Sequence, residues 1–465
     1  MEADNCWADM KKIAIIGAGL SGLLTAWFIK KVNKEIEITI FEAHKKGGKI
    51  SGEKLEGLYL ERGAAGIFST NPLLDYVVDE LKLNDQLVKA HEYRLNTVKQ
   101  EYMQKPPGDF FKCDNYLFSF ITGGWQNLFG QGKKVSVWNG LSLHDFFKSS
   151  FGETFTELYG SVYSRFVFGC EPSDVDVKSV FPELSDSINR QGSFKKGIDD
   201  FISHERSFWK SSIIQKENYN AGFFNFKGGM FALIEALEHD LKHMGVKFEY
   251  SKIQTITRDR ETYTLHSKSS RYSSYSDIIM TPQAHDQAPL WKELDKSVTA
   301  DLNNFRYFAS NTVYFVWNND MSKKLGTGFI APQKEKFTMY GLMNFSSVFP
   351  DLADGKSVLK ITVPGDISLL GDDDILQLLM QDIKKSYGIT VRPDAFTIYR
   401  DPKAYPVMDG KYSDYRKELL SKVAHFPCIH LHGADITGPL PAEIMRRSFM
   451  LAQKYSSIQS EQAAS

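Results

Sequence analysis

The apolar positions of this chain fall into short runs whose periods change along its length. Lys12 to Ile16 is a short β-rich run behind two lysines. Ala18, Leu20, Leu23, Leu24, Ala26, Trp27 and Phe28 then continue at helical spacing. A second apolar strand, Ile36 to Phe41, stops on Glu42. Leu58 to Leu60 predicts a strand, and Leu73 to Leu81 a helix opened by Asn71-Pro72. Leu143 to Leu158 has helical period around Gly152, and Leu233, Leu237 and Leu241 share one helix face behind Gly228-Gly229. Val246 to Ile256 predicts strands and Thr262 to Met280 a hairpin. Thr312 to Trp317, Phe337 to Leu342 and Ser357 to Val363 predict three more strands, and Asp372 to Ser386 a helix with aspartates at its start. The last strand, Cys428 to His432, leads through Gly433-Ala434-Asp435 into a helix that Pro441 opens and that runs through Met450. Alternating strands and helices at both ends predict an α/β fold.

The first of these turns carries candidate chemistry. Gly17, Gly19 and Gly22 stand in GxGxxG spacing between strand and helix, and Glu42 ends the next strand twenty residues after Gly22. Strand, glycine turn, helix, strand and acid in this order predict a dinucleotide-binding unit. Gly17 lets the chain turn sharply, Gly19 leaves room for a pyrophosphate against the backbone, and Gly22 lets the helix pack close to the strand. The helix start offers N–H groups and a positive dipole end to phosphates, and Glu42 can accept from a ribose diol. Ile13 to Ile29 carries no charge and follows Met10-Lys11-Lys12, the pattern of a signal peptide or a membrane span. The glycine spacing and the strand that follows argue against both.

Composition narrows the class further. The 465 residues suggest about three domain-sized units. The 56 basic and 57 acidic side chains nearly cancel and no basic block stands out, so nucleic acid is not an expected partner. Cys6, Cys113, Cys170 and Cys428 are scattered without metal-site or disulfide spacing, so no metal is expected and a reducing, cytoplasmic setting is. The nine residues before Met10 read as an extension or an alternative start. No internal repeat is visible. Of the eleven histidines none stands in a motif, and His430 and His432, alternating on a strand, read as structural.

After Glu42, Gly47-Gly48-Lys49 completes Glu-x4-Gly-Gly-Lys, and Glu61-Arg62-Gly63-Ala64-Ala65 follows a strand. Together these resemble the extended FAD-binding motif of the flavin amine oxidase superfamily. RFVFGCEPSDVDVKSVFPEL, Arg165 to Leu184, resembles the protoporphyrinogen oxidase-like branch. The resemblance implies a Rossmann-like FAD-binding domain of the glutathione-reductase type, made of 10–90, 222–288 and 405–456. It also implies a mainly helical insert, 91–221, and a mixed substrate-domain sheet, 289–404. The cofactor it implies is FAD, contacted by Gly17, Gly19, Leu20, Ser21, Gly22, Glu42, Ala43, Gly48 and Lys49 at the first unit. Gly63, Ala64, Ala65, Ile253, Thr281, Gly433, Asp435 and Ile444 are the further implied contacts. Ile253 matches the position whose backbone meets the adenine.

The implied reaction is dehydrogenation of a small hydrophobic, porphyrinogen-like substrate by hydride transfer to flavin N5, with O2 as acceptor. The flavin does the chemistry, and no catalytic side chain is identified beyond it. Arg94 and Arg165 are candidates for a substrate carboxylate, and the aromatic block Phe110 to Phe129 for an apolar wall. The chain departs from the family pattern at Arg62, where an acid is common, and at Arg446-Arg447, which replace a Ser-Gly pair. Pro406 to Gly410 is one residue shorter than the usual spacing. Amine oxidation and polyene desaturation are rival reactions, the first disfavoured by the lack of a lysine in Ser310-Asn311-Thr312-Val313. A non-redox escort or GDP-dissociation-inhibitor-like role is the rival of another class, disfavoured by the intact Gly-Gly-Lys and Gly-Ala-Asp elements. The oligomeric state is open, and the implied class admits a peripheral membrane contact.

Overall fold

The computed structural model describes residues 11–456 apart from 70, 92–95, 100–101, 105–140, 152, 154–155, 161–163, 166–167, 169, 193, 216–218, 320, 322–325 and 332–335. Two compact units divide the chain. The first comprises 1–51, 230–305 and 414–465, the second 52–229 and 306–413. Arg94, the Phe110 to Phe129 block and Gly152 lie outside the described residues.

The first unit is built on a five-stranded parallel sheet. Its order is Lys247–Glu249, Glu37–Phe41, Lys12–Ile16, Asp277–Met280 and Ile429–Leu431. Ile15 stands opposite Ile40 on one side and Ile279 on the other. A parallel sheet is covered on both faces, and its three central strands, Glu37–Phe41, Lys12–Ile16 and Asp277–Met280, are nearly continuous apolar runs. The helix Leu20–Val32 packs its Phe28 ring edge-on against Phe449 of Pro441–Gln453, with centroids 5.3 Å apart. Every residue from Leu20 to Lys30 is buried, which is why this helix carries no charge before Lys30. It is a core helix of 13 residues. The expected hairpin over Thr262 to Met280 divides. In an antiparallel meander, Thr262–Ser267 pairs with Ile253–Asp259 on one side and Arg271–Tyr275 on the other, while the fully buried Asp277–Met280 joins the parallel sheet.

The second unit carries a seven-stranded mixed sheet in the order Ala395–Pro406, Tyr307–Trp317, Ser357–Pro364, Gly341–Asn344, Gly328–Ile330, Asn96–Lys99 and Tyr102–Gln104. Its pairs are antiparallel except Gly328–Ile330 with Asn96–Lys99. The stretch expected as a helical insert therefore also supplies the last two strands at one side of this sheet. Its helices Leu143–Phe151, Val177–Val180, Pro182–Gln191 and Phe194–Ser211 gather a separate core around Phe147, Val177 and Ile188. Asp176 caps Val177–Val180 by accepting the Ser179 N–H at 2.8 Å, and Pro182 opens the next helix.

One expectation needs correction. Phe337 to Leu342 does not form a strand as a whole. The strand is Gly341–Asn344, because the Asp382 carboxylate takes the Thr338 and Met339 N–H groups at 2.7 and 3.1 Å instead of a neighbouring strand. By compactness, 52–90 and 222–229 group with the second unit. Leu58, Leu60 and Phe223 pack in one core with Tyr314, Val316, Ile330 and Phe349, which draws the hairpin Gly52–Leu55/Leu58–Glu61 into it.

Ile279 lies fully buried in the centre of the parallel sheet. Ile279→Ala is expected to destabilise the protein by about 2–5 kcal/mol through lost burial and the cavity it leaves. Denaturant unfolding followed by far-UV circular dichroism measures it, and a loss below about 1 kcal/mol would place this strand outside the stabilising core.

Candidate functional site

In the first unit the glycine turn is held by its neighbours on every side. Gly17 has φ +103°, and its N–H donates to Phe41 O at 2.7 Å, tying the turn to the second strand. A Cβ on Gly22 would lie 2.0 Å from Gly17 O, so only glycine lets the helix approach the strand here. Thr281 closes the other side, donating its hydroxyl to Ile16 O at 2.8 Å. The helix begins at Gly19 with no side-chain cap. A Cβ built on Gly19 would find its nearest atoms at 3.9 and 4.0 Å, both backbone atoms of Gly47 and Gly48. The turn is thus an open cradle with helix-start N–H donors, the arrangement that suits a pyrophosphate.

Glu42 and the Gly-Gly arm complete this cradle. Glu42 Oε2 accepts the Ala18 N–H at 2.7 Å, and Oε1 accepts the His44 N–H at 2.8 Å. The carboxylate is half-buried and stands beside the turn. The Gly47 N–H donates to Ala18 O at 2.8 Å, and Gly47 forms a parallel bridge with Gly19. Ala43, Gly48 and Lys49 are exposed on the arm.

The remaining residues expected in this unit occupy less uniform positions. Leu20 and Ser21 are buried, and the Ser21 hydroxyl donates to His432 O at 2.6 Å, away from the turn's open face. Ile253 starts the meander and is buried. Gly433 lies against the next strand end, where a Cβ would meet Pro282 O at 2.6 Å. Asp435 is buried, and its Oδ2 accepts the Ala284 N–H at 2.6 Å. Ile444 sits in the first turns of Pro441–Gln453, buried. His432 Nε2 meets the Ser448 hydroxyl at 3.1 Å. Burial, then the electrostatic influence of His430, Arg447 and Lys454, pushes the His432 imidazole down to about 3, and burial pushes His430 down to about 4. Both are neutral at ordinary pH and serve as packing and hydrogen-bonding groups.

In the second unit the Glu61 to Ala65 turn is gripped by three side chains from three strands. The Tyr314 hydroxyl donates to Glu61 O at 2.9 Å. The Asn225 amide donates to Glu61 Oε1 and to Ala65 O, each at 3.0 Å. The Lys360 ammonium donates to Gly63 O. Burial pulls Lys360 down to about 8, against the opposing charge of Glu61. Arg165 is buried rather than open. Its Nη1 donates to Ala331 O and its Nε to Glu171 Oε1, both at 2.7 Å, with Tyr340 under the guanidinium at 5.1 Å. In this geometry it closes an internal ion pair.

Sequence reasoning missed Lys360, Asn225 and the ion pair between Lys46 and Glu238. A lone lysine inside the apolar run Ser357–Pro364 was a usable signal for the first. Nothing local marks the other two. Among the described residues no cluster of His, Cys, Asp or Glu could hold a metal ion, and no helix is long and apolar enough to cross a membrane.

A parallel sheet with an open glycine cradle and a carboxylate fastened beside it is an arrangement that suits a nucleotide cofactor. Residues 20–435 match the family of flavin containing amine oxidoreductases, and the chain belongs to that family. It is 23% identical over 454 residues to a coproporphyrinogen III oxidase of Staphylococcus aureus, covering 91% of this chain and 94% of that one. It is likewise 23% identical over 457 residues to protoporphyrinogen oxidase 2 of Arabidopsis thaliana, covering 88% and 86%. A candidate protoporphyrinogen oxidase structure from Exiguobacterium superposes with a TM-score of 0.75 at 16% identity, over 97% of this chain and 99% of that one. The chain is a FAD-dependent oxidoreductase with a mixed α/β fold.

The depressed His432 value has a stability consequence. A buried histidine whose folded pKa lies below the ordinary 6.5 contributes stability that is present above 6.5 and is lost as pH falls toward about 3. Between pH 6.5 and 5 the expected slope is at most about 1.4 kcal/mol per pH unit for this group. His432→Asn should flatten the wild-type fall of the urea midpoint over that range. An unchanged slope would mean that His432 is not the titrating group.

Proposed function

We propose that this enzyme dehydrogenates a flat, apolar, partly anionic molecule of the porphyrinogen class. The observation that carries the reading is the likeness to a coproporphyrinogen III oxidase over 91% of the chain. The Arg165 to Leu184 stretch supports the same branch. Bound FAD supplies the hydride acceptor at N5, with dioxygen the proposed terminal acceptor, leaving as hydrogen peroxide.

The proposed work of the protein is binding and orientation, in a glutathione-reductase-type arrangement of the cofactor domain. Gly17, Gly19, Leu20 and Gly22 would hold the pyrophosphate with helix-start N–H groups, and Glu42 would accept from the ribose diol. Ser21, Thr281, Gly433 and Asp435 would fix the surrounding strand ends. Ala43, Gly48, Lys49, Ile253 and Ile444 are further proposed contacts, as are Gly63, Ala64 and Ala65. Lys360 holds the carbonyl of Gly63, and burial lowers it to about 8, so a minor fraction of the amine is unprotonated near neutral pH. That observation sustains amine oxidation as a second reading, which the absence of lysine at 310–313 had disfavoured.

Anaerobic mixing decides between them. Freshly reduced coproporphyrinogen or protoporphyrinogen is expected to bleach the flavin absorbance, and polyamines or aromatic monoamines are not. Bleaching by an amine but by neither porphyrinogen would overturn the assignment.

Glu42 gives a second measurement. Glu42→Ala should weaken FAD binding by about 1–3 kcal/mol, the scale of hydrogen bonds to a charged group, with the fold intact. Equal FAD affinity in a fluorescence titration would show Glu42 to be only the fastener of Ala18 and His44.

A further inference from the structure

Glu238 is almost fully buried, with its side chain 7% exposed, and it fastens three different segments of the first unit. Its Oε1 takes Lys242 at 2.7 Å on the same helix and the Tyr250 hydroxyl at 3.0 Å. Its Oε2 pairs with Lys46, the residue before Gly47-Gly48. Burial alone would raise this carboxyl, but the hydrogen bonds from Lys242, Lys46 and Tyr250 outweigh it and hold Glu238 down to about 2. The tie is therefore ionic at every ordinary pH.

Tyr250 is the unusual member. Its hydroxyl is pinned, yet 60% of the residue is exposed. A large ring held in place but left in water is an incomplete contact. It also stands at the acid that ends the second strand. The Glu42 N–H donates to Glu249 O at 2.9 Å, so Tyr250 leaves the sheet directly beside Glu42, and the two side chains are close enough to interact electrostatically. Ser251 N–H turns back onto Glu249 O at 2.9 Å, and Ile253 follows at the start of the meander.

We propose that Tyr250 is a further cofactor-binding residue, a fixed aromatic platform that covers the adenosine end of FAD beside Glu42. The proposal rests on the reading that Glu42 receives the adenosine ribose. Glu238 acts as the positioning residue behind it, setting the ring through the phenol and the Gly47-Gly48 arm through Lys46. One buried carboxylate thus locates two walls of the same half of the cofactor. A planar base on such a ring gains stacking without needing a specific hydrogen-bond partner.

The test compares Tyr250→Ser, Tyr250→Phe and Glu42→Ala as full-length flavoprotein. Flavin fluorescence on dilution gives the FAD dissociation constant, and displacement of FAD by ADP gives the affinity of the adenosine half alone. Circular dichroism checks that each variant is folded. Tyr250→Ser is expected to weaken both FAD and ADP by about tenfold, in line with the loss of one base–aromatic stack. Tyr250→Phe, which keeps the ring and loses only the tether, should stay within about threefold of wild type. Equal losses in the Ser and Phe variants would overturn the platform, because the hydroxyl tie would then account for the effect. No loss in Tyr250→Ser beside a clear loss in Glu42→Ala would overturn the platform and leave the Glu42 reading standing. No loss in either variant would overturn both.

Discussion

The approach of the helix Leu20–Val32 to the strand Lys12–Ile16 is the contact on which the first unit depends. At Gly22 and Gly17 the two backbones lie so close that a single methyl group would collide at 2.0 Å. That closeness brings the helix start into line with the strand end and leaves the cradle at Gly19 open. It also sets where Glu42 can stand, since Gly17 N–H is tied to Phe41 O. Burial drives the elements together, but it is non-directional. The glycines convert a general attraction into one separation and one angle.

Carboxylates do most of the fastening around that contact. Glu42 holds Ala18, Asp435 holds Ala284 and Glu238 holds Lys46 and Tyr250. In the second unit Glu61 and Asp382 play the same part, Glu61 through Asn225 and Asp382 through Thr338 and Met339. A carboxylate that accepts backbone N–H groups in a partly dry environment is a strong, directional tie. Removing one partner leaves a buried polar group unpaired, which costs more than the bond contributes on balance. These ties explain how loops with little apolar content keep a defined shape within each unit.

The chemistry asked of the protein is correspondingly modest. With FAD as the redox group, side chains need not form a catalytic triad, and His430 and His432 are held neutral by burial. Lys360 is the contrasting case, a lysine drawn into a sheet core and brought down toward the physiological range. A fold of this kind can be adapted to different substrates by changing such residues while the cradle stays constant.

By itself the sequence determined the elements whose signal is local. The continuous apolar strands, the GxGxxG turn, the acid after the second strand and the proline-opened last helix all appear where residue period and backbone chemistry place them. The uncharged stretch from Ile13 to Ile29 was legible as a strand, a glycine turn and the start of a buried helix rather than a membrane span once the glycine spacing was weighed. Only the tertiary structure decided what depends on partners far apart in the chain. Lys46 and Glu238 are 192 positions apart, and nothing in either neighbourhood announces the other. Asp382 diverts Thr338 and Met339 from strand pairing across 44 and 43 positions, so a run with strand-like composition became a turn. The hairpin Gly52–Leu55/Leu58–Glu61 follows the first unit in sequence, yet its leucines are buried with Tyr314 and Phe349 of the second. Periodicity reports which face of an element is apolar. Which surface covers that face, and which distant side chain claims a given N–H, is settled only when the chain closes on itself.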